Sequence, residues 1–81
     1  MVILLKNMAE ENLFSKLEKV LTREKEYIFD FSGTNFKDDN LYDFIYHVKR
    51  DINCEFWYRG LSFQQTCIVR NAIRAARKDS L

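Results

Sequence analysis

The one histidine of the chain, His47, follows Asp43 by a single helical turn, and a carboxylate that orients an imidazole is the first component of a general base or a metal site. The other components are missing. One histidine, with Cys54 and Cys67 at unpaired spacing, does not supply a typical zinc set, and the chain has neither a glycine-rich phosphate loop nor a paired nucleophile motif. His47 reads as a surface histidine and the cysteines as core thiols; no cofactor is expected. Residues suited to binding are more numerous. Asp38, Asp39, Asn40 and Asp43 form a polar, acidic helix start, and Tyr42 and Tyr46 share a flank of the same helix near Lys49. Arg70, Arg74, Arg77 and Lys78 make a basic stripe that could meet phosphates, or could simply be a solvated face near a helix C-terminus. Trp57 lies on the opposite side of its strand from Cys54, Phe56 and Tyr58. If one face of the sheet lacks a helix, Trp57 there is an anchor for a second chain.

The elements that position these residues alternate. Val2 to Leu5 is a continuous apolar run of the kind found in a strand buried on both faces. Asn7 and Glu10 have capping-box spacing, and Leu13, Phe14, Leu17, Val20 and Leu21 mark a helix over roughly 9 to 23. Tyr27 to Phe31 is a second strand that stops at Ser32-Gly33. Leu41, Phe44, Ile45, Val48 and Ile52 then mark a helix over 40 to 52, and Cys54 to Tyr58 is a third strand. Ser62 and Gln65 open a last helix over 63 to 77, with Phe63, Ile68, Val69, Ala72, Ile73 and Ala76 toward the core and Lys78 to Leu81 as a frayed end. This βαβαβα order implies an α/β fold with right-handed crossovers and a small, mainly parallel sheet.

At 81 residues, with 47% hydrophobic and 31% charged, the chain suffices for one globular domain, residues 1 to 81, and no second. So small a core leaves surface for a partner or a second copy to cover. A formal charge of +1 generates no general attraction for nucleic acid or anionic lipid, and no apolar run is long enough for a membrane span or a signal peptide. A cytoplasmic protein is expected.

The stretch Asp30-Phe31-Ser32-Gly33-Thr34-Asn35-Phe36-Lys37-Asp38 resembles the signature of STAS (anti-sigma-factor-antagonist) domains. In that family a strand ending in Asp-Leu-Ser-Gly leads through an aromatic position to Asp-Ser-Ser-Gly at a helix start. The chain also resembles STAS-like domains of unknown function. The resemblance implies a regulatory, non-catalytic module that docks on a protein, with an ATP-binding anti-sigma or kinase-like protein as the implied partner, through the Asp38-Asp39 loop and the following helix. Phosphorylated members carry a serine after the loop aspartate. Here Asp39 stands there, followed by Asn40 and Leu41, so that switch cannot operate at this position. Asp39 places about one negative charge where a phosphoserine would place roughly 1.5 to 2. Two readings of it are open: a direct partner contact that mimics the modified state, or an N-cap, by Asp39 or Asn40, worth ~1 kcal/mol.

The family's additional terminal strands have no room here, so a STAS-like sheet reduced to three strands is expected. Three function classes follow: a protein-binding regulatory module using Asp38, Asp39, Asn40, Tyr42, Asp43, Tyr46 and Trp57; a nucleic-acid adaptor using the basic last helix; and a small enzyme using His47 and a cysteine. The first is the expectation, and a small sheet with unpaired edges adds that of a homodimer.

Overall fold

Aromatic and β-branched side chains suit a pleated, half-buried surface, and Glu26–Asp30 accordingly forms the central strand, β2, in the computed structural model, which describes residues 1–80. Val2–Leu4 (β1) lies on one side of it and Glu55–Arg59 (β3) on the other, both parallel to it. The helices are Leu13–Leu17 (α1), Asp38–His47 (α2) and Phe63–Asp79 (α3), and a π-helical turn, Val48–Ile52, prolongs α2. The expected small α/β fold with a three-stranded parallel sheet is the fold observed.

The spatial order β1-β2-β3 has a consequence for layering. Two right-handed crossovers between successive neighbours carry α1 and α2 over the same face, and α3 packs against α2 on that side. All of the core is therefore on one side of the sheet. Tyr27, Phe29 and Phe31 point into it from the β2 region, and Leu13, Leu17, Leu41, Phe44, Ile45, Val48, Val69 and Ala72 meet them from the helices. The Phe29 ring sits 5.3 Å from both Phe44 and Phe56, so the middle of the core is aromatic. Burying each such ring contributes about 2 to 3 kcal/mol.

Several expectations are corrected. The helix expected over 9 to 23 is only Leu13–Leu17. Asn12, in the left-handed region at φ 61°, blocks extension toward the N-terminus, and turns follow Leu17, although Leu13, Leu17 and Leu21 are all buried as the spacing required. Val20, placed in that buried stripe, is 52% exposed. The capping box proposed for Asn7 and Glu10 is not formed, because the Glu10 carboxylate accepts a hydrogen bond from the Lys37 N–H at 2.8 Å instead. The second helix begins at Asp38, two residues early, and ends where Asn53 turns left-handed at φ 58°. Phe63 is not a core residue but 82% exposed, since the helical period sets it on the side of α3 opposite the buried Val69, Ala72 and Ala76. Helix α3 runs on through Lys78 and Asp79, so those residues are not frayed; Leu81 lies outside the described residues.

The correction with most weight concerns β1. Its continuous apolar run implied burial on both faces, yet Val2 and Leu4 are 45% and 55% exposed. Only the face that carries Ile3 is covered.

Candidate functional site

Side chains alternate along a strand, and parallel partners in register point the same way, so the uncovered face can be read row by row. Val2, Ile28 and Trp57 are register partners and form its middle row. One step toward the strand starts, Glu26 lies beside Glu55; one step toward the strand ends, Leu4, Asp30 and Arg59 are aligned. The middle is apolar. Trp57 is 55% exposed there, and Asp30 is mostly shielded because its Oδ2 accepts from the Arg59 Nε at 3.1 Å. Purely parallel sheets are normally covered on both faces, so an apolar row left open on one is a departure that points to binding.

The residues Asp30 to Asp38 build the turn that closes this face. The Ser32 N–H donates to Asp30 Oδ1 at 2.9 Å, Gly33 takes a positive φ of 77°, and the Thr34 hydroxyl donates to the Phe31 carbonyl. These contacts hold the Asp30 carboxyl below its ordinary range. The Ser32 backbone N–H is the chief cause, the Ser32 hydroxyl and Arg59 add to it, and partial desolvation opposes it. Turn chemistry alone thus accounts for Asp, Ser and Gly at these positions.

At the start of α2 the N-cap position belongs to Lys37, which supplies no side-chain cap. Neither Asp39 nor Asn40 is the N-cap, which corrects that half of the two readings. Asp38 and Asp39 occupy the first turn, exposed, and their carboxylates have no hydrogen-bond or ion-pair partner among the described residues. The backbone amide at this helix start is occupied by Glu10. Tyr42 and Tyr46 stack at 6.2 Å, half-buried, and the Tyr46 hydroxyl donates to Asp79, tying α2 to the end of α3. That bond raises the tyrosine pKa, with a partly opposing bond from Arg50, whose guanidinium carbon lies 5.0 Å from the ring centroid. Asp43 is exposed.

His47 does not pair with Asp43, as the spacing suggested, but with Asp51 one turn later, Nδ1 to Oδ2 at 3.2 Å. Asp51 is held below its ordinary range mainly by Arg50, with His47 contributing. A groove of about 500 Å³ between α1 and α2 is lined by Phe14, Asp43, His47 and Asp51 among others. Cys54 is fully buried, and burial pushes its thiol up, away from the thiolate that a nucleophile needs; Cys67 is half-buried and also unpaired. Among the described residues no three of His, Cys, Asp and Glu are grouped to hold a metal ion. Arg70, Arg74, Arg77 and Lys78 are exposed along α3 without ion-pair partners among the described residues.

The fold therefore divides the expected binding residues. Asp38, Asp39, Asn40, Tyr42, Asp43 and Tyr46 belong to the helical layer, and Trp57 to the opposite, open face. Sequence reasoning identified Trp57 but not Val2, Leu4, Ile28, Glu26, Glu55 or Arg59 around it. The alternation in Glu55-Phe56-Trp57-Tyr58-Arg59 signalled the side; only strand order shows that the side is uncovered. No helix among the described residues is long and apolar enough to cross a membrane. Comparison of the chain with protein-family models, with curated proteins and with solved structures finds no match.

Proposed function

We propose that this chain is a non-catalytic, cytoplasmic protein-binding module whose principal contact surface is the open face of the sheet. The observation that carries the reading is the middle row, Val2, Ile28 and Trp57, an apolar strip across all three strands with a half-exposed tryptophan at its end. Tryptophan is prominent among the residues that dominate interface energies, and a ring seated on a rigid strand loses little freedom on docking. A regulatory role in the manner of a reduced STAS-like domain, with an ATP-binding anti-sigma or kinase-like partner, rests on the Asp30 to Asp38 resemblance. The start of α2 is a second surface of the same module, favoured by the exposed, uncommitted carboxylates of Asp38 and Asp39.

A photoreactive amino acid at position 57, compared with the same group at position 39, tests both surfaces in the native cell. The expected result is a protein adduct from position 57 whose yield falls when Ile28→Ser is added. Adducts from position 39 alone would transfer the function to α2, and adducts from neither would reject the reading.

A further inference from the structure

We infer that the exposed side of α3 binds single-stranded RNA, with its arginines on the phosphates and Phe63 stacked on a base. This surface belongs to the helical layer and is independent of the open sheet face, so its failure would leave the reading of that face untouched.

A formal charge of +1 conceals a division of charge along the chain. Helix α3 holds four of the thirteen cationic side chains and only one of the twelve carboxylates, so it is net +3 while the rest of the chain is net −2. At about 100° per residue, Phe63, Arg70, Arg74, Arg77 and Lys78 fall within an arc of about 100°. All five are exposed, Phe63 at 82%, and the four cations have no ion-pair partner among the described residues. The one carboxylate, Asp79, stands on the other side of the helix and accepts from the Tyr46 hydroxyl. Val69, Ala72 and Ala76 are also on the far side, buried. What remains in the open is a basic stripe about 22 Å long with an aromatic ring at one end. The helix dipole accounts for cations in the last turn, Arg77 and Lys78, but its effect falls off there, and Arg70 and Arg74 stand before it.

The make-up of the stripe selects the polyanion. A helix that lies in a bilayer interface buries its own apolar face there, and that of α3 is already inside the core, so a membrane would receive Phe63 alone. A nucleic-acid duplex has phosphates for the cations but keeps its bases stacked on one another, which leaves Phe63 without a partner. A single strand supplies both, a charged backbone for the basic track and free base faces for the aromatic ring. Single-stranded segments with splayed bases are also the form in which RNA is most often recognised. Three of the four cations are arginines, whose planar guanidinium bonds phosphate in bidentate fashion and stacks on bases. Phosphates on four cations and one base on Phe63 make a mode of binding with little sequence preference.

Fluorescence anisotropy of the full chain with a labelled oligouridylate of about 12 nucleotides tests this. The expected result is saturable binding with a Kd of about 10 to 100 µM at low salt, and a slope of log K against log salt near about −3, roughly −0.7 for each of four phosphates. Arg70→Gln combined with Arg74→Gln should halve that slope. Phe63→Ala should weaken binding about fivefold or more and leave the slope unchanged, because stacking releases no counterions. Lys16→Gln combined with Lys19→Gln removes the same charge from exposed positions elsewhere and should change neither. Thermal melts identify any variant that has lost its fold; Arg70→Ala with Arg74→Ala, and Phe63→Leu, then take the place of the first choices. No saturable binding up to about 1 mM protein, or equal losses in the lysine and arginine pairs, overturns the inference. So does tighter binding of a duplex, of polyglutamate at matched charge, or of phosphatidylserine vesicles. A Kd indifferent to Phe63→Ala removes the stacked base and with it the single strand, and tighter binding of oligothymidylate than of oligouridylate removes RNA in favour of DNA.

Discussion

Asp30 joins the turn to the open face, since one carboxylate accepts from the Ser32 N–H and from Arg59. A carboxyl whose pKa is depressed by folding adds stability above its unfolded value, near ~3.9, and loses it as pH falls through the lower folded value. Wild type should therefore lose melting temperature on acidification below about pH 4 more steeply than Asp30→Asn, with the variant the less stable of the two at neutral pH. Melts between pH 7 and pH 2 check this, and parallel curves would show that Asp30 is merely solvated. The resemblance at Asp30 to Asp38 was legible because turn chemistry is local: Asp, Ser and Gly are needed wherever a strand ends in this bend. For that reason the stretch carries information about backbone shape more than about a partner. The use of Glu10 at the start of α2 was illegible. It joins residues 27 apart in sequence, and nothing in the spacing of Asn7 and Glu10 shows that the carboxylate will turn elsewhere.

Among the connections, the one between β3 and α3 is the most constrained. Gly60 has φ 82°, and a Cβ there would fall 2.4 Å from the Ser32 backbone nitrogen, so the turn after β3 is pressed against the turn after β2. Gly33 has a similar φ of 77°, but a Cβ there meets only the Lys6 side chain at 3.7 Å. Gly60→Ala should destabilise the fold by about 2 kcal/mol or more, and Gly33→Ala by about 1 kcal/mol, the cost of a left-handed conformation alone. Urea unfolding of both variants measures the difference; equal losses would mean that the two turns are free to part. Helix α3 followed its sequence closely. Ser62 and Gln65 form a reciprocal capping box, Ser62 Oγ accepting from the Gln65 N–H at 3.2 Å and Gln65 Oε1 from the Ser62 N–H at 3.0 Å. Helix α1 did not, because five residues cannot sustain a helix by propensity, and its extent was left to tertiary contacts.

For the molecule as a whole, a face that is open in the free chain ties stability to whatever covers it. Anything that binds only the folded state raises its melting temperature by mass action. In the free chain Trp57→Ser should change the melting temperature little, since a ring that is 55% exposed on an uncovered face contributes little to its own fold. Calorimetry of both proteins checks it, and a large loss in Trp57→Ser would mean that the ring is needed by its own fold. The order of strands and helices, the inward residues of β2 and the side of β3 on which Trp57 stands were all determined by the sequence, because periods of two and of about 3.6 residues are properties of the local backbone. What only the tertiary structure decided is which sides of the sheet are covered. An apolar run such as Val2 to Leu4 states a preference for burial without naming its cover. Right-handed crossovers between strands in the order β1-β2-β3 send every helix to one face, and this long-range geometry is what leaves Val2, Leu4 and Trp57 in the open.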